Sequence, residues 1–203
     1  MDQDTLIDRA QQNLERFGIE VTTPDQVINR TDDSDQPKAV YTPQFDRLDL
    51  YNMSQSDDET VIQVEHELLH KHQYEKYGQQ DRHEEAMPDM DLQRPSQAAG
   101  RSELDPTEPE QRSASIRMEH QQDRLIKTMG EAVALIYTAF RRDELDDDTV
   151  QDMVQTLQGR GTYQGQKTAA MLQDLYDRFR NLSGDDEGRM EDFLTTVQDD
   201  CFQ

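Results

Sequence analysis

The chain has one cysteine, Cys201. It can therefore form no internal disulfide and no cysteine-based metal cluster. It has no tryptophan, and of its 21 basic residues only five are lysine. Apolar residues make up 33% and the mean hydropathy is −1.05. No stretch is long and apolar enough to span a bilayer. The first residues, Met-Asp-Gln-Asp-Thr, lack the basic region and apolar run of a signal peptide. These absences point to a protein kept in the cytoplasm, or packaged in a particle assembled there. A length of 203 residues suits one domain with a long insertion.

What is abundant is acid. Asp and Glu number 44 and the net charge is −23. That charge argues against a nucleic-acid partner, because affinity for the phosphate backbone comes from basic groups that release counterions. It equally disfavours an anionic membrane. Low lysine, more arginine and acid spread along the whole length resemble the proteins of salt-in halophiles. In molar salt the Debye length falls to about 3 Å, which screens the self-repulsion such a chain suffers in dilute buffer.

Hydrophobic spacing predicts a fold that is α+β and mostly α: a small β-hairpin or sheet beside one central helix, followed by a helical C-terminal half. Leu6, Ile7, Ala10, Leu14 and Phe17 recur as in a helix over 3–17, with Gly18 as its stop. Ile19 to Val21 reads as a short strand, and Thr23-Pro24-Asp25 as a helix start leading into Val27-Ile28. Residues 39–51 read as a hairpin in which Leu48 and Leu50 alternate with Arg47, Asp49 and Tyr51. A helix is predicted over 59–77, capped by Asp57 or Asp58 and ended by Gly78. Residues 78–112, rich in Gln, Asp, Glu, Arg, Pro and Ser, form a flexible polar insertion or a lid. A helix capped by Ser113 or Ser115 follows over 113–142, with Leu125, Ile126, Met129, Val133, Ile136, Tyr137 and Phe140 inward. Further helices are expected near 148–158, 163–182 and 188–200. Residues 1–77 and 113–203 are thus expected to share one domain.

The chemistry lies in His66-Glu67-Leu68-Leu69-His70, an H-E-x-x-H motif inside the predicted helix at 59–77. Four residues turn a helix by about 400° and advance it about 6 Å, so His66 and His70 share a face one turn apart. Their ring nitrogens can converge on one zinc ion at about 2.0–2.1 Å. Glu67 lies beside them and suits a general base that takes a proton from a zinc-activated water. In this composition the motif arises by chance with a probability of about 0.01, the alternative being two solvated histidines on a surface helix.

A third ligand is needed. The extended pattern H-E-x-x-H-x-x-G-x-x-H fails, because Gln73 and Lys76 stand where Gly and His are required. His72 points elsewhere on the helix, and His83 sits in the polar insertion. Glu131 is the better candidate. It is the one acid in the apolar run from Met129 to Phe140, where a lone carboxylate costs free energy unless paired or on a metal. Its context, Gly130-Glu131-Ala132-Val133-Ala134, lets two helices approach closely. The competing reading pairs Glu131 with Lys127 on an exposed face. An oxyanion donor is not singled out: His120, Tyr137 and Tyr163 all stay open, and Arg124 is a candidate to orient a ligand.

On the hairpin at 39–51, the H-E-L-L-H helix and the Glu131 helix, the chain resembles the gluzincin clan of zinc metallopeptidases, the compact minigluzincin type in particular. The resemblance implies zinc held by His66, His70 and Glu131, and Glu67 as general base. It also implies a protein or peptide substrate held in extended form along the strand near 39–51. The expected activity is then zinc-dependent endopeptidase. The competing expectation is a structural or interaction component of a larger assembly, such as a viral particle, that keeps this fold with zinc as a staple or absent. A regulatory protease acting on one cellular partner is a third.

Overall fold

A computed structural model describes residues 3–31, 38–52, 58–78 and 108–202, with side chains in the last stretch described from 124 to 200. Helix α1 (Gln3–Glu15) buries Leu6, Ile7, Ala10 and Leu14. It stops before Gly18, whose φ of 72° is the left-handed conformation that glycine adopts freely. No strand forms at 19–21. The strand is β1 (Gln26–Arg30), where a helix start was expected. Its entry is pinned to the following hairpin: the Asp25 N–H donates to Asp46 Oδ2 and the Gln26 N–H to the Asp46 carbonyl. With those amides taken, β-branched Val27 and Ile28 continue as strand.

Strands β2 (Lys38–Thr42) and β3 (Arg47–Tyr51) form the expected hairpin, joined by a 3-10 turn at Pro43–Phe45 and by Asp46 at φ 42°. The sheet order is β1-β3-β2, with β1 parallel and β2 antiparallel to β3. Because β3 is the central strand, Asp49 is not on an exposed face as expected but 4% exposed. Arg30 and Arg47 pair with it at 2.5 and 2.9 Å.

Helix α2 (Asp58–Tyr77) lies at the centre, against α1, β2 and α3. It buries Val61, Ile62, Val64, Leu68 and Leu69, and four polar side chains as well: Thr60, Glu65, Lys71 and Gln73. Helix α3 (Glu108–Arg141) begins earlier than 113, so Ser113 and Ser115 lie inside it and not at its start. Pro109 explains the early start, since its fixed φ and missing N–H fit a helix's first turn. The insertion expected over 78–112 otherwise lies outside the described residues, as do Asp57 and His83. On α3, Ile126, Met129, Val133, Ile136 and Tyr137 are buried, but Leu125 is 37% exposed.

Helix α4 (Asp147–Gly159) is capped by Asp146, which accepts the Thr149 N–H at 2.8 Å. Thr162 caps α5 (Tyr163–Asn181) in the same way at 3.0 Å. Helix α5 packs on both α3 and α4. The helix expected over 188–200 is three pieces: α6 (Asp186–Asp192), a π turn at Phe193–Val197, and α7 (Gln198–Phe202). One buried apolar cluster runs from Leu6 to Val197, so both ends of the chain share a core. Among the described residues no helix is long and apolar enough to cross a membrane.

Glu65 is fully buried and accepts hydrogen bonds from Arg141 Nε and Nη2 at 2.7 and 3.0 Å, Tyr137 Oη at 2.9 Å and Asn13 Nδ2 at 2.6 Å. Arg141→Met leaves that carboxylate without its counter-charge. The unfolding free energy from a urea titration should fall by roughly 3 kcal/mol.

Candidate metal centre

His66 and His70 leave α2 on the face that meets α3, and Glu131 leaves α3 toward them. Glu131 Oε2 is 3.2 Å from His70 Nε2 and 3.9 Å from His66 Nε2. The two imidazoles stand 4.9 Å apart between centroids and nearly perpendicular, at 77°. One donor atom from each residue lies within 4.8 Å of the others. Ligands around a tetrahedral zinc, at 2.0–2.1 Å from it, are separated by about 3.3 Å. Two neutral nitrogens and a carboxylate at these separations fit that ion with modest adjustment.

The far side of each ring is held. His66 Nδ1 lies 2.9 Å from Thr138 Oγ1, and His70 Nδ1 lies 3.2 Å from Gln73 Oε1. With the proton on Nδ1, both rings donate outward and turn their Nε2 lone pairs to Glu131, the arrangement a metal-ligating histidine needs. Gln73 is itself fixed: its Nε2 donates to Gln198 Oε1 at 2.9 Å and to the Gly130 carbonyl at 3.4 Å. Gly130 is required for this. A Cβ there would lie 2.4 Å from Gln73 Oε1. The small residues around Glu131 therefore do let α3 approach α2, with Ala132 and Ala134 fully buried.

Electrostatics sort the three groups. Burial, helped by the neighbouring His70, pulls the His66 pKa down to about 4, so that ring is neutral at pH 7. Burial acts on His70 as well, but the hydrogen bond to Glu131 and the charges of Glu67 and Glu131 outweigh it and leave its pKa raised. For Glu131 burial is outweighed by the His70 hydrogen bond and the charges of both histidines, so its pKa is lowered. A neutral imidazole and an ionised carboxylate are the states that metal binding demands.

Glu67 is placed differently. Its Oε2 accepts the backbone N–H of Tyr41, on β2, at 2.8 Å. No described residue donates to its Oε1. Burial raises its pKa against the opposing His70 charge and the Tyr41 N–H. A carboxylate so poised is more basic than one in water.

The other candidates fall away from this cluster. Lys127 is exposed, and Glu131 faces His70 instead. His72 Nδ1 lies 2.9 Å from the Glu20 carbonyl. Tyr137 Oη is taken by Glu65, Tyr163 is 71% exposed against Lys167, and Arg124 is exposed. His120 is on α3 but its side chain lies outside the described residues. Thr138 and Gln73 were not anticipated, although their spacing marks them: Thr138 follows Glu131 by two turns on one face, and Gln73 follows His70 by three residues.

No family model, curated protein or solved structure matches the chain. Its function has to be read from the site. Thr138→Val and Gly130→Ala each release one ring from its outer partner while leaving the three donors in place. Zinc affinity, measured by competition with a chromogenic chelator, should fall by roughly 10–100-fold in each.

Proposed function

We propose that the protein is a zinc-dependent peptidase of gluzincin type, with His66, His70 and Glu131 holding the metal and Glu67 acting as general base. The observation that carries this reading is the position of Glu67. It stands beside the donor trio without belonging to it, one oxygen on the Tyr41 N–H and the other without a donor among the described residues. A metal serving only as a staple needs no such group.

Bound zinc would supply a Lewis acid that makes a water acidic near neutral pH. The chain supplies the rest. Glu67 Oε1 takes a proton from the attacking water and returns it to the departing amine nitrogen. The Tyr41 N–H keeps Oε2 occupied and fixes the carboxylate's direction.

The same amide places the substrate. Tyr41 lies opposite Leu48 in the β2–β3 pair, yet its N–H points to Glu67, away from β3. Alternation along an antiparallel strand then turns the Tyr41 carbonyl, and the N–H and carbonyl of Ala39, outward on the same edge. No described strand pairs with that edge. An extended peptide added there lies next to Glu67, which supports a protein or peptide as the substrate.

The structural reading has one support: the trio bridges α2 and α3 and would staple them. Metal content and casein cleavage in high salt separate the two for wild type and Glu67→Gln. The expected outcome is one zinc per chain in both, with cleavage lower by about 10²–10⁴-fold in the variant. Zinc without cleavage by the wild type would leave only the staple. Unchanged zinc content in both His66→Ala and Glu131→Ala would remove the site.

A further inference from the structure

In a chain with 44 acidic and 21 basic residues, a cation finds a partner easily. Every arginine whose side chain is described pairs with a carboxylate, except the exposed Arg124 and Arg160. Arg160 borders a cleft of about 270 Å³ that Glu131 also lines. The cleft exists because α3 and α4 both rest on α5 and leave a gap between them.

Its chemistry is divided. Leu135, Met153 and Leu157 make an apolar wall. The chain doubles back between Arg141 and Asp147, so the C-terminal end of α4 comes alongside Glu131. Arg160 is close enough for its charge to act on the Glu131 carboxyl. Asp152, the other charge on this face of α4, lies eight residues away, about 12 Å along the axis, toward Leu135. At the end beside the metal centre Arg160 adjoins the Glu131 carboxylate, and the far end carries Asp152 with no cation beside it in the lining.

We propose that this cleft binds the C-terminal residue of a peptide, its apolar side chain against Leu135, Met153 and Leu157 and its α-carboxylate on Arg160. A guanidinium presents paired N–H groups that match a carboxylate's two oxygens. With that end of the chain anchored beside Glu131, bonds near the C-terminus are the ones brought to Glu67. The cleavage rests on the peptidase reading. Water adds across the peptide C–N bond: its oxygen ends in the new carboxyl group and the amine nitrogen gains a proton on release.

Binding and cleavage test this separately. N-acetyl-leucine and its amide are titrated by NMR into the zinc-loaded full chain carrying Glu67→Gln, alone and combined with Arg160→Gln or Arg160→Lys. The acid should bind about tenfold tighter than the amide, the worth of one charge-assisted hydrogen bond. Arg160→Gln should abolish that preference without changing zinc content, and Arg160→Lys should keep part of it. Wild-type protein should cleave peptides with a free C-terminus about tenfold faster than their amides. Equal binding of acid and amide, or a preference that survives Arg160→Gln, would overturn the proposal even where peptides are cut. A peptide amide carrying Asp at its end that is cut as well as the free acid would overturn the assignment to the α-carboxylate. An Arg160-dependent preference in binding with no peptide cut would uphold the carboxylate subsite and sink the peptidase reading.

Discussion

The Glu65 carboxylate ties the site together. It sits on α2 one residue before His66, with no exposure to solvent, and takes donors from Arg141 and Tyr137 on α3 and Asn13 on α1. A buried ion pair contributes little net stability, because desolvation consumes most of the attraction. What it supplies here is register. Arg141 is ten residues beyond Glu131, about 15 Å along α3, and Gly130 adjoins Glu131 on the other side. Gln73, three residues past His70, closes on the Gly130 carbonyl. The two polar clamps thus bracket the donor trio on both helices. A slip of α3 by one residue would turn Glu131 away by about 100° and leave Glu65 and Gln73 unpaired together. Apolar packing alone tolerates such slips far better.

The sheet is held to α2 by a second pair of contacts one turn apart. Glu67 takes the Tyr41 N–H, and Lys71, four residues on, reaches Asp46 Oδ1 at 2.6 Å and Glu75 Oε1 at 2.7 Å. Tyr41 Oη donates to the same Asp46 oxygen. Lys71 is 2% exposed, so its amine would be costly without these partners. Burial would raise the Asp46 carboxyl, but hydrogen bonds from Lys71, the Asp25 N–H and Tyr41 hold it below its ordinary range, so Asp46 stays ionised at neutral pH. Glu67 and the strand edge beside it are thereby parts of one hydrogen-bonded unit. On the proposed peptidase reading, a peptide laid on the edge of β2 would meet a base whose position is already set, which is how preorganisation lowers a barrier.

The three residues that cluster as candidate metal donors were legible because their constraints are local. H-E-x-x-H needs only a helix, and Glu131 betrays itself as an acid in an apolar run. Helices α4 and α5 were legible for the same reason: Asp146 and Thr162 cap them within three residues. What failed depends on distant partners. Thr23-Pro24-Asp25 has a helix start's chemistry, but Asp46, twenty-one residues away from Asp25, takes the amides. Asp49 looked solvent-facing by alternation, and becomes buried because β1 pairs on the far side of β3 and brings Arg30. Ser113 looked like a cap until Pro109 started the helix earlier. Glu67 was readable as a candidate base, whereas the amide that its carboxylate accepts was not, because it belongs to the backbone and carries no side-chain signature.

The whole-chain charge sets the conditions under which this site works. A net charge of −23 draws divalent cations toward the molecule and repels anionic ligands. For a metal centre built from Glu131 and two imidazoles that field is an aid. For Arg160 it is an opponent, since a carboxylate approaching the cleft must cross it. Salt decides the contest. At molar ionic strength the Debye length is about 3 Å, so the summed repulsion of distant acids fades while a direct guanidinium–carboxylate contact, made at hydrogen-bond distance, keeps most of its strength. The composition that resembles a salt-in halophile and the carboxylate subsite proposed at Arg160 would then belong together: the salt that screens so acidic a chain would also let one cation select its ligand.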